Sequence, residues 1–73
     1  MEWISVKDRL PEKNTEVLIA FCKKMYIPNY SQCVGYIDEE DGLWYDGYDE
    51  KIEYPIDYIY VYYWMPLPKA PKE

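Results

Sequence analysis

Histidine is absent from this chain of 73 residues. The side chain that most often acts as a general base near neutral pH is therefore missing. Neither Cys22 nor Cys33 has an imidazole that would activate it as a nucleophile. Glycine is scarce, with three residues in all, and none sits in a Gly-rich run of the kind that cradles phosphates. Two cysteines without histidine fall short of a tetrahedral zinc site. Asp38-Glu39-Glu40-Asp41 offers oxygens but lacks the alternating spacing and closing glutamate of a calcium loop, so it reads as a solvated turn. No catalytic residue, metal or cofactor is assigned, and the chain is expected not to be an enzyme.

Positive charge is also in short supply. Eight Lys and Arg stand against fourteen Asp and Glu, for a net charge of −6 and a sequence pI near 4.5. That balance argues against direct nucleic-acid binding, which needs a basic face. No apolar run approaches the roughly 20 residues that cross a bilayer, so no membrane association is expected. Met1 to Arg9 lacks the basic-then-apolar pattern of a signal peptide. An intracellular protein with free thiols at Cys22 and Cys33 is the expectation, although the two cysteines end one strand and begin the next.

What the chain has in abundance is tyrosine, ten residues, within an aromatic share of 19%. Large rings supply much buried area per residue, and a domain this small, near the lower limit for a single core, needs that area. The rings are concentrated in Tyr58-Ile-Tyr-Val-Tyr-Tyr-Trp-Met-Pro-Leu-Pro68. Strict alternation places Tyr58, Tyr60, Tyr62 and Trp64 on one face, and Ile59, Val61, Tyr63 and Met65 on the other. Pro66 and Pro68 end the strand.

Glu16 to Cys22, apolar through its middle, reads as a central strand covered on both faces. Cys33 to Ile37 is a second strand, with Gly35 marking a bulge or a place where a ring crosses the backbone. Asp38 to Gly42 is a hairpin loop ending in Asp-Gly, and Leu43 to Tyr48 is a third strand. Trp3-Ile4 must pack onto the sheet, because isolated hairpins are not stable in water. The expected fold is mainly β: one small antiparallel sheet of three to four strands over residues 1–68, with a short helical turn near Val6 to Leu10 and a flexible tail at 69–73.

Trp3-Ile-Ser-Val-Lys-Asp-Arg-Leu-Pro-Glu12, followed by Val17-Leu-Ile, resembles the opening of a family of short phage and prophage proteins. Trp64-Met-Pro-Leu-Pro68 resembles its close, and Trp44-Tyr45 stands near its internal aromatic position. The family is known as domain of unknown function 551. The resemblance implies a small β protein from the cytoplasm of a bacterial host cell, and it brings no catalytic residue with it. Where the family often has a Thr-His pair before the closing tryptophan, this chain has Tyr62 and Tyr63. The two terminal motifs read first as fold determinants, with a Trp3–Trp64 contact joining the ends of the domain.

Two functional readings remain. In the first, Tyr58, Tyr60, Tyr62, Tyr63 and Trp64 offer faces to a flat, nucleotide-like ligand, and Arg9, Lys23 and Lys24 meet its phosphate. In the setting the resemblance implies, such a protein would act against host defence by sequestering a small nucleotide signal, with an oligomer able to build the site between subunits. In the second, the carboxylates at 38–41, 46, 49, 50, 53 and 57 form an acidic face that inhibits a host defence protein or a nucleic-acid-handling enzyme. The plainer account of those carboxylates is solubility.

Overall fold

The computed structural model describes residues 2–68; the tail expected at 69–73 lies outside the described residues. Five strands form one antiparallel sheet: β1 (Ile4–Ser5), β2 (Val17–Lys23), β3 (Ser31–Ile37), β4 (Trp44–Asp46) and β5 (Ile59–Pro66), in the order β1-β5-β2-β3-β4. The added strand is the two-residue β1, which pairs Ile4 with Trp64 and Ser5 with Tyr63. β2 is central, as its continuous apolar run requires, and residues of both parities, Val17 and Ile19 on one side and Ala20 and Cys22 on the other, are buried.

The segment after β1 forms a hydrogen-bonded turn: the Asp8 and Arg9 N–H groups both donate to the Ser5 carbonyl, at 3.0 and 3.3 Å. The 3-10 helices lie elsewhere, at Lys24–Tyr26 and Pro55–Asp57. The β3–β4 hairpin closes through its acidic residues. The Asp38 carboxylate accepts from the Glu40 and Asp41 N–H groups, and Gly42 takes the positive φ of 72° that the turn needs.

The core lies on one side of the sheet. Val17, Ile19, Ile37, Trp44, Ile52, Val61 and Trp64 are buried together, with Ile4, Val6, Phe21 and Cys33 packed against them. Gly35 marks a close approach of backbone to backbone: a Cβ there would stand 2.5 Å from the Tyr45 carbonyl oxygen and 3.0 Å from Ile19 Cδ1. Neither a ring nor a bulge is involved at that position.

The two terminal motifs do meet, but not through Trp3. The Trp64 indole N–H donates to the Arg9 carbonyl at 2.9 Å, and the Arg9 guanidinium lies 5.8 Å from the indole ring centre. Trp64 is 6% exposed, whereas Trp3, one residue before the Ile4–Trp64 pair, is 38% exposed and faces the other way. Alternation along the short β1 forces this. If Ile4 enters the core beside Trp64, Trp3 cannot.

Candidate functional site

Residues directly opposed on neighbouring strands share a face. Ile19 is opposite Cys33 on one side and Trp64 on the other, and this is the core face. Ala20 is opposite Gln32 and Tyr63, on the far face. The next residue, Phe21, is opposite Val61 rather than Tyr62. β5 therefore carries one extra residue, Tyr62, at a β-bulge.

That bulge corrects the face assignment expected from strict alternation. Val61 and Trp64, three positions apart, both point into the core. Tyr62 and Tyr63, adjacent in sequence, both reach the ring of Tyr30, at centroid distances of 5.9 and 5.6 Å. Tyr60, opposite Cys22, packs edge to face on Tyr62 at 6.3 Å. Tyr58 is outside the strand altogether. It caps the second 3-10 helix in the left-handed conformation, with φ 58°.

Two open clefts flank this tyrosine group. The larger, about 530 Å³, is walled by Tyr58, Tyr60, Tyr62, Val6 and Val61 and carries Lys7, Lys24 and Glu53 at its edge. Backbone bonds anchor the main chain beside its lysines: the Lys24 N–H donates to the Tyr58 carbonyl at 2.8 Å, and the Val6 N–H, next to Lys7, donates to the Tyr62 carbonyl at 3.1 Å. The Glu53 carboxylate is already engaged, accepting the Val61 N–H at 3.0 Å. The smaller cleft, about 340 Å³, is lined by Trp3, Ala20, Pro28, Tyr30, Gln32 and Tyr63.

Of the side chains singled out in the sequence, Tyr58, Tyr60, Tyr62 and Lys24 come together in the larger cleft, and Tyr63 lines the smaller one. Trp64 and Arg9 pair with each other and line neither. Lys23, opposite Ile59 at the end of β2, also lines neither. Sequence reasoning passed over Lys7, Trp3, Tyr30 and Gln32. Trp3 was legible in principle, because a core-facing Ile4 sends its neighbour to the opposite face. Tyr30 sits in a connecting segment, where no periodicity announces its direction.

Burial raises the phenol pKa of Tyr30 and Tyr62, with Tyr63 adding to the first and Cys22 to the second. Both phenols stay protonated near neutral pH and can donate. Burial also pushes the Cys22 and Cys33 thiols up. They are free, and register places them on opposite faces, Cys33 with Ile19 and Cys22 with Tyr60, so they do not approach across the strands. Neutral thiols are poor nucleophiles. The arrangement can stack rings and bind anions through its lysines.

Many of the carboxylates are occupied within the fold. Asp46 accepts from the Tyr48 and Glu50 N–H groups at 2.8 and 3.0 Å. Tyr36 donates to Asp49 at 2.6 Å and Tyr45 donates to Asp41, while the two rings stack with centroids 5.8 Å apart. Among the described residues no group of His, Cys, Asp and Glu is placed to hold a metal ion, and no helix is long and apolar enough to cross a membrane.

Comparison with curated proteins and with solved structures finds no match. A family model described as "Protein of unknown function (DUF551)" matches residues 2–72, nearly the whole chain. That span takes in both the Arg9 turn and the Trp64 strand, whose contact closes the domain. The chain belongs to the DUF551 family.

Proposed function

We propose that this is a non-enzymatic binding protein whose larger cleft takes up a small anionic ligand bearing a flat ring, of the nucleotide class. The observation that carries the reading is the convergence of Lys7 and Lys24 with Tyr58, Tyr60 and Tyr62 on one cleft of an otherwise acidic molecule. A ring stacked on a tyrosine contributes on the order of 1–3 kcal/mol in other proteins, and a lysine pair supplies the counter-charge. The net charge of −6 sets an upper bound on the ligand. A polyanion is repelled at long range, whereas a ligand with one or two phosphates meets mainly the local field. In the phage setting that the sequence resemblance implies, such a protein sequesters a nucleotide signal of host defence.

The acidic-face reading ranks second, because the carboxylates of Asp38, Asp41, Asp46, Asp49 and Glu53 already hold the fold's own N–H and O–H groups.

Calorimetry against mononucleotides, cyclic oligonucleotides and cyclic ADP-ribose isomers, with native mass spectrometry for bound mass and subunit count, tests the proposal. Saturable binding that weakens about tenfold in Lys24→Ala supports it, since a charge-assisted contact is worth roughly that much. Silence across the whole panel would sink it.

A further inference from the structure

The neutral cleft on the other side of Tyr30 has no part in holding a phosphate, and it is built unlike the charged one. Its walls are the indole of Trp3 and the phenols of Tyr30 and Tyr63, the small side chain of Ala20 lies between them, and among the described residues no charged group lines it. Ala20 is buried, so its place is fixed by the central strand. Gln32, opposite Ala20 in the ladder and exposed, brings an amide that both donates and accepts. That is the equipment for a flat, uncharged heterocycle: ring faces to stack on, and one polar edge to read. At about 340 Å³ the cleft falls at the low end of small-molecule sites, which run from about 300 Å³.

The bulge ties the two clefts together. Tyr62 walls the charged cleft and Tyr63 the neutral one. The two residues are consecutive, and Tyr30 touches both rings within 6 Å. A single layer of rings therefore partitions two sites of complementary chemistry. From this we infer that the ligand is bipartite, with two flat rings joined by a phosphodiester: the dinucleotide class. One ring and the phosphate lie against Tyr60, Tyr62, Lys7 and Lys24, and the second ring lies between Trp3 and Tyr63. This rests on the nucleotide reading of the larger cleft and adds the second ring to it.

Calorimetric titrations of adenosine and guanosine 5′-monophosphates against the linear dinucleotides pApA and pGpG separate the two readings. A dinucleotide is expected to bind at least about fivefold tighter than its own mononucleotide, the low end of one added stacked base. Trp3→Ala should abolish that advantage while leaving mononucleotide affinity within about twofold, and Gln32→Ala should reduce it. Equal affinity for the two sizes, or a Trp3→Ala loss shared by both, overturns the bipartite ligand alone. Absence of binding by every probe overturns the nucleotide reading together with it.

Discussion

On the side of the sheet that carries Ile19, Trp44, Val61 and Trp64, the side chains interlock around one fully buried residue, Ile19. On the side that carries Tyr30, Tyr60, Tyr62 and Tyr63, rings meet tilted or edge to face beside open clefts. Both sides are rich in apolar area, and composition does not tell them apart. What separates them is shape. The aliphatic and indole side chains of the first face fill space between strands and loops, while on the second the small side chain of Ala20 leaves room beside Tyr30 and Tyr63 that the rings do not fill.

The sharpest way to break this comparison is to remove one tryptophan from each side. Trp64→Ala deletes a buried indole, its bond to the Arg9 carbonyl and the guanidinium contact. Urea denaturation should show a loss of about 3–5 kcal/mol, enough to unfold a small domain in part. Trp3→Ala, at a half-exposed position, should cost under about 1 kcal/mol. Equal losses would mean that the two faces are equivalent parts of one core.

A finer test concerns the bulge. With Tyr62 as the extra residue, Ala20 and Phe21 face Tyr63 and Val61. Deleting Tyr62 therefore leaves Trp64 and Val61 facing the core through a regular ladder. The deletion variant should keep its near-ultraviolet circular dichroism and cooperative melting, losing roughly 1 kcal/mol for the Val6–Tyr62 hydrogen bond. In an unbulged strand the same deletion would reverse the faces of every residue on one side of the cut. Loss of cooperative folding would therefore remove the bulge from the account.

The smallest effect is at the rim of the tyrosine face. The bond to Asp49 pushes the Tyr36 phenol up to about 12, and the bond to Asp41 does the same for Tyr45. Each folded pKa lies above the ordinary value of 10.0, so the stabilisation is complete below pH 10 and is lost as pH rises through about 12. Ultraviolet titration should show Tyr36 and Tyr45 ionising late, alongside the half-buried Tyr30 and Tyr62, and Asp49→Asn should bring Tyr36 down. Titration of Tyr36 and Tyr45 near their ordinary value would count against those bonds.

Much of the fold was legible. The apolar run from Val17 to Cys22 pointed to a central strand because a half-buried strand would have alternated, and Asp41-Gly42 pointed to the hairpin through the positive φ that glycine accepts. β1 was expected to pack on the sheet but was not resolved as a strand, because two residues carry no periodicity. The face of Trp64 was misread for a different reason. A bulge is a property of a strand and its partner together, and Tyr-Val-Tyr-Tyr-Trp read alone alternates without a break. The same limit hid half of the candidate site. Tyr58, Tyr60, Tyr62 and Lys24 lie close in the chain or end on the same strands, whereas Lys7, Trp3 and Tyr30 arrive through β1 pairing and a loop, which no local pattern encodes.

The most direct test of the central claim, that one face holds the fold and the other holds the ligand, is an aromatic and methyl NMR titration with the tightest-binding nucleotide. The account predicts shift changes at Tyr58, Tyr60 and Tyr62, extending to Tyr63 and Trp3 when a second ring is present. The methyls of Ile19 and Ile37 and the indole of Trp64 should stay still. Changes centred on Trp64 and Arg9, with the tyrosine rings unmoved, would contradict it.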